Sequence, residues 1–402
     1  MPREHLIRPW LSLVASLVLL FAAAWTVLPG PIAVLLPLAV GAPELSAWLV
    51  VIAVPIGLTA ALDARRRRAG AIALGVSVVC AALALAPLMQ AGRATRRFAL
   101  TMSDVLGEDY LRDVTPEARA GMRRRPIQVV DLFRGFDPGG RAPTAAVLFG
   151  SPDGQPLRMD VYTPPSGGPH PALVQIYGGA WQRGHPGNNA SSARYFAARG
   201  YVVFALDYRH APQWRWPAQI DDVRTGLAWV QKHGADYGAD VSRIALVGRS
   251  AGAHLALLAA YMPGGPPVRA VVSYYGPTDL VGGYREPPRP DPLDVRAILE
   301  TFTGGTPDTA PAAYHDGSPL TYAGRPQPPT LLIYGSRDHV VSPHFGATLH
   351  ARLRAAGTTS VLLELPWAEH AFDAIPFGPG AQLSLYHTER FLAWATQRKS
   401  ER

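Results

Sequence analysis

Three stretches near the start of the chain carry no charged residue: Trp10–Leu28, Leu45–Leu62 and Ala69–Met89. About 20 apolar residues in a helix cross a hydrocarbon layer about 30 Å thick, and each stretch approaches that length. Backbone groups in lipid must bond within their own segment, so each stretch is expected to be helical. None shows the polar face that a core helix of a soluble domain presents to water. A cleaved signal peptide would account for the first stretch, with Ala22, Ala23 and Ala24 near its end, but not for the two that follow. We therefore expect a transmembrane region over residues 1–92, with about three helices near 10–28, 45–62 and 69–89. Pro31–Val40 is apolar too, but Pro31 and Pro37 suggest a loop or re-entrant piece.

Charge placement bears on orientation. Residues 1–100 hold nine arginines against Glu4, Glu44 and Asp63, so most of the net charge of +8 belongs to this third. Arg3 and Arg8 precede the first stretch, no Lys or Arg lies between Leu28 and Leu45, and Arg65–Arg68 form a block between the second and third. Basic loops face the cytoplasm. The alternation puts the residues after Met89 outside the cell membrane, although Arg93, Arg96 and Arg97 pull the other way. No basic stripe interleaved with aromatics occurs elsewhere, so nucleic acid is not an expected partner. The single cysteine, Cys80, excludes an intrachain disulfide and a cysteine-built zinc site. Residues 93–143 read as a linker or stalk, with a short polar helix within 104–121 and a turn at Asp137-Pro138-Gly139-Gly140.

From Thr144 onward, short β-branched runs alternate with helical periodicity. Eight strands are expected: 145–149, 157–162, 172–177, 202–206, 244–247, 270–274, 330–334 and 361–365. Helices are expected over 190–199, 217–233, 251–261, 343–356 and 382–397. Strands that are apolar throughout and separated by helices argue a mainly parallel sheet covered on both faces. The first two, joined by Ser151-Pro152-Asp153-Gly154, read as an antiparallel hairpin at one edge. Function in such sheets gathers at the carboxyl ends of the strands.

One of those ends reads Gly248-Arg249-Ser250-Ala251-Gly252 and runs into an apolar helix, the context a G-x-S-x-G turn requires. A sharp turn lifts the Ser250 hydroxyl above the sheet, and the helix start directs N–H groups toward it. A serine needs a base, and the base needs an acceptor to orient it. Asp338 follows the strand 330–334 and His370 follows the last strand, so Ser250, Asp338 and His370 can meet at one rim. Asp279 also follows a strand, but it is expected to cap a turn or short helix. Glu369 is expected to be solvated or structural. After strand 172–177, Gly178-Gly179-Ala180-Trp181 lets backbone N–H groups approach a substrate oxygen. Gly179, Ala180 and Ala251 are the expected oxyanion donors, with Gly178 shaping the turn.

Residues 144–398, within an expected catalytic domain of 144–402, resemble an α/β-hydrolase, and more closely the hormone-sensitive-lipase-like and acetyl/feruloyl-esterase-like carboxylesterases. The stretches that carry the resemblance are Ile176–Trp181, Asp207–Pro212, Gly248–Leu255, Tyr334–Asp338 and Glu369–Phe372. It implies an eight-stranded, mainly parallel sheet with helices on both faces, a small cap over about 277–325, and Ser250, Asp338 and His370 as the triad. It implies ester cleavage through an acyl-enzyme, on a small-molecule or lipid substrate, without metal or organic cofactor. Three positions depart from the family pattern. Tyr177 stands where the family usually has His, Ala180 where it has the last Gly of His-Gly-Gly-Gly, and Arg249 where an acidic residue usually precedes the nucleophile. Asp207, Arg209 and Asp222 are expected to be structural. Amide hydrolysis of the aryl-formamidase kind would use the same layout, and a non-catalytic anchored domain would need no triad at all.

Overall fold

The computed structural model describes residues 4–65, 67–165 and 167–397. Arg3 and Arg66 of the orientation argument, and the last five residues of the expected catalytic unit, lie outside that set. Four helices come first: α1 (Glu4–Ala24), α2 (Leu36–Glu44), α3 (Ser46–Ala64) and α4 (Arg68–Leu106). Two of them, α3 and α4, are long and apolar enough to cross a membrane. The apolar part of α1, Arg8–Ala24, is shorter, so among the described residues two helices rather than three meet that length. The Pro31–Val40 stretch, expected as a loop, winds into α2 from Leu36.

α4 reaches well past the expected end at Met89. Its buried positions are Gly70, Ala73, Ser77, Cys80, Ala84, Pro87, Ala91, Ala94, Phe98 and Met102, a seam spaced by threes and fours. The first half of the seam is made of small side chains, which let helices approach closely. Cys80 packs there with Leu19, Ala23 and Ala53. The second half, Ala91 to Met102, joins the main core. Residues 93–106 therefore continue the helix instead of forming a stalk. Large apolar side chains such as Phe21, Val18, Leu58 and Val78 point outward.

The eight strands are β1 (Ala145–Gly150), β2 (Leu157–Tyr162), β3 (His170–Ile176), β4 (Val202–Leu206), β5 (Ala239–Arg249), β6 (Ala270–Tyr274), β7 (Thr330–Gly335) and β8 (Ser360–Leu365). They form one sheet in the order β1-β2-β4-β3-β5-β6-β7-β8. β1 pairs antiparallel with β2, and β2 with β4; every later pairing is parallel. β3, β4, β6 and β7 are buried along nearly their whole length, which is why they read as unbroken apolar runs. Helices Ala190–Ala197, Ala218–His233, Ala251–Tyr261, Pro343–Ala355 and Pro379–Thr396 cover the sheet. Four short helices between Leu280 and Tyr322 are inserted between β6 and β7.

Candidate active site

Ser250 sits between β5 and the Ala251–Tyr261 helix with φ 52° and ψ −124°, a conformation that L-residues seldom adopt. Its backbone N–H donates to Tyr274 O at 2.9 Å, which pins the turn to the neighbouring strand. The turn is this sharp because the helix crosses directly over β3. A Cβ at Gly252 would stand 2.3 Å from the carbonyl oxygens of Ile176 and Tyr177, so only glycine fits there.

The chain brings its three distant candidates together. His370 Nε2 lies 2.9 Å from Ser250 Oγ, and His370 Nδ1 lies 2.8 Å from Asp338 Oδ2. The other carboxylate oxygen of Asp338 accepts the Val340 and Val341 N–H groups at 2.8 and 2.7 Å. Both side chains are almost fully buried. Burial alone would lower the His370 pKa, but the charge of Asp338 and its hydrogen bond outweigh it, and the net shift is upward.

Glu369 is buried, not solvated. It accepts the N–H of His370 at 2.9 Å and that of His339 at 2.5 Å, and its other oxygen meets His339 Nδ1 at 2.5 Å. It thus braces the two loops that carry Asp338 and His370. Asp279 caps the Leu280–Arg285 helix by accepting from Gly282 N at 3.0 Å.

Gly178, Gly179, Ala180 and Ala251 line the same cavity as Ser250 and His370. Gly179 has φ 142°, and a Cβ there would stand 1.9 Å from Arg183 O. Ala251 opens a helix, where N–H groups have no acceptor within the helix. Tyr177 anchors this loop. Its hydroxyl donates to Asp207 at 2.5 Å and meets His210 Nε2 at 2.9 Å, and its ring stacks on Tyr208 at 4.5 Å. Arg209 pairs with Asp222 at 2.9 Å and with Asp153.

The cavity holds about 500 Å³. Trp181 and Tyr275 line it, together with Leu293, Val295 and Ile298 from the inserted segment. Trp181 stacks on Phe302 at 4.1 Å and donates to His254 at 3.2 Å. Arg249 does not point at the reacting centre as a free cation; its Nε meets Asp373 at 2.5 Å, and its guanidinium lies 4.9 Å from the Tyr274 ring centroid. Asp373 also accepts the Tyr275 hydroxyl. No sequence signal marked Asp373, whose partners lie about a hundred residues away in the chain. Among the described residues no cluster of His, Cys, Asp and Glu has the arrangement of a metal site.

Known proteins share this architecture. The BD-FAE family matches residues 159–353. The probable carboxylic ester hydrolase LipM of Mycobacterium tuberculosis is 31% identical over 347 residues, covering 79% of this chain and 77% of LipM. Esterase LipC of the same organism is 36% identical over 244 residues, 57% of this chain and 60% of LipC. Esterase LipQ is 30% identical over 303 residues, 70% of each chain. Among solved structures, the apo form of Thermogutta terrifontis esterase 2 superposes with a TM-score of 0.52 at 23% identity, over 64% of this chain and 94% of that one. That likeness bears on the fold. With the parallel sheet and the extent of the match to LipM, it follows that the chain belongs to the α/β-hydrolase carboxylesterases and is a carboxylic ester hydrolase.

Proposed function

We propose that this is a membrane-anchored serine esterase in which Ser250 is the nucleophile, His370 the general base and Asp338 its orienting carboxylate. The continuous hydrogen-bond line from Asp338 through His370 to Ser250 is the observation that carries the reading. His370 Nε2 takes the hydroxyl proton while Ser250 Oγ bonds to the ester carbonyl carbon. The developing oxyanion is held by the N–H groups of Gly179, Ala180 and Ala251 at a loop shaped by Gly178. As the tetrahedral centre collapses, the alcohol leaves with the proton from His370. Water then gives its proton to His370, attacks the acyl-enzyme and releases the acid, returning the proton to Ser250. Asp338 fixes the tautomer and stabilises the imidazolium throughout.

Anchoring is supported by the outward large and inward small side chains of α1, α3 and α4, the inverse of a helix bundle in water. The Arg8–Asp63 pair ties the start of α1 to the end of α3. By the distribution of basic residues we place the catalytic unit outside the cell membrane. Under this reading residues 1–92 are the membrane region, 144–402 the catalytic unit and about 277–325 its cap.

A fluorophosphonate probe tests the assignment. The wild-type protein should be labelled and should hydrolyse p-nitrophenyl acetate; Ser250→Ala should do neither while keeping its circular-dichroism spectrum. Labelling of the alanine variant would overturn the nucleophile.

A further inference from the structure

The loops that carry Asp338 and His370 are gripped from outside the sheet, by the N-terminal helices. Glu44 ends α2 and is only 2% exposed. One of its oxygens accepts the Trp367 indole N–H at 3.0 Å, and the other accepts the Gly380 backbone N–H at 2.7 Å. Trp367 lies three residues before His370, and Gly380 is the second residue of the Pro379–Thr396 helix. The Gly380 N–H has no acceptor in its own helix, and the Glu44 oxygen supplies one. A single carboxyl therefore pins both flanks of the segment 367–380 that bears His370.

The chain makes room for that carboxyl. A Cβ at Gly378 would stand 2.2 Å from one Glu44 oxygen, and a Cβ at Gly380 would stand 2.6 Å from the other. Two further contacts act in the same direction. Arg337, the residue before Asp338, donates to the Thr26 and Val27 carbonyls just past α1. Arg97 on α4 donates to the Glu364 carbonyl in β8. A tether needs none of these. A buried carboxyl is costly unless its oxygens are bonded, and here both bonds go to the base-carrying segment.

We propose that Glu44 is a positioning residue for His370, acting through Trp367 and Gly380, and that α2 is thereby part of the catalytic unit. The proposal rests on the reading of His370 as the base. Loss of the pin slackens the loop, so that the lines to Ser250 and Asp338 lengthen together. A misplacement of about 1 Å costs on the order of 10²-fold in rate.

The test uses the full-length protein in detergent micelles and compares wild type, Glu44→Ala, Glu44→Gln, Trp367→Phe and the double variant Glu44→Ala/Trp367→Phe. Values of kcat and KM for p-nitrophenyl acetate are measured across pH, with melting temperatures alongside. Glu44→Ala should lower kcat by about 10- to 100-fold, with KM within about twofold. Its acid limb should move to lower pH, because His370 loses part of its bond to Asp338. Glu44→Gln, which keeps one acceptor, should lose less. The double variant should be no slower than Glu44→Ala, because the Trp367 N–H has nothing left to donate to. Should Glu44→Ala melt below the assay temperature, Trp367→Phe carries the test, since it removes one N–H and keeps an aromatic ring. Wild-type kcat and pH profile in Glu44→Ala and Trp367→Phe, or additive losses in the double variant, would overturn the proposal. A wild-type protein that neither hydrolyses ester nor reacts with the fluorophosphonate would instead overturn the assignment of Ser250 and His370.

Discussion

The Tyr177 hydroxyl donates to Asp207 at 2.5 Å, and through it the glycine loop after β3 is tied to the end of β4. The family's usual histidine is absent at this position, and a phenol does the anchoring. Tyr177→Phe leaves Asp207 with the Tyr208 N–H but without its second donor. Losing one partner of such a bond costs about 1–3 kcal/mol. Urea denaturation should show that loss, and kcat should fall with it as the loop loosens.

The pH profile should carry the signature of the Asp338–His370 pair. On the proposed mechanism the neutral imidazole is the active form, and the Asp338 charge holds the His370 pKa above its ordinary value near 6.5. Activity should therefore fall as pH drops through a value above about 6.5. The pair's contribution to stability runs the other way: it is full below about 6.5 and is lost as pH rises through the folded value. Asp338→Asn should lower the limb and cut kcat by about 10⁴-fold. Stopped-flow or steady-state assays in a three-buffer system read both.

Gly179→Ala forces a Cβ against the Arg183 carbonyl at a backbone angle that disfavours any side chain. The loop must shift, and the Gly179 and Ala180 N–H groups shift with it. We expect kcat to fall by about 10²–10³-fold, the range seen when one oxyanion donor is lost. A mass shift on fluorophosphonate treatment should still develop, slowly, because Ser250 and His370 are untouched.

His387 is buried, and among the described residues neither of its ring nitrogens has a hydrogen-bond partner. Burial, aided by Arg390, pushes its pKa down to about 3. The unfolded chain binds that proton more readily, so stability is full above about 6.5 and falls as pH drops toward the folded value. His387→Leu should stabilise the protein by about 1–3 kcal/mol at pH 5, by removing buried polar atoms that lack partners. The acid sensitivity that remains should come partly from His254, which burial pushes down to about 4. Denaturation at pH 5 and pH 8 distinguishes the two contributions.

Phe98 is 1% exposed on the distal half of α4 and packs edge-on to His387 at 5.6 Å. Phe98→Ala should cost about 3–5 kcal/mol, as deletion of a buried ring does. A linker residue would cost almost nothing. The melting temperature of the purified esterase separates the two outcomes.

Strands β3, β4, β6 and β7 were legible because burial on both faces writes them as short apolar runs, and β1 and β2 because a turn joins two short runs at the edge. The candidate site residues could be singled out because each follows such a run, as Ser250 follows β5 and His370 follows β8. The helices between Leu280 and Tyr322 were not, since each is only four to nine residues long and their stretch is rich in Pro and Gly. The second half of α4 was missed for another reason. Arg93, Arg96 and Arg97 crowd its outer face and mask the buried row Ala91, Ala94, Phe98 and Met102. Glu369, Asp373 and Glu44 act through partners on other elements, and no local pattern encodes such pairings.

α4 runs for 39 residues without a break, which at about 1.5 Å per residue makes a rod of about 58 Å. Its first half lies among the apolar helices and its second half against the edge strand β8 and the Pro379–Thr396 helix. Helical backbone runs through both layers, with Pro87 the interior residue that gives up a ladder hydrogen bond. On the proposed anchoring, with the first half in a bilayer, this one helix would set the height and tilt of the cavity mouth above the lipid.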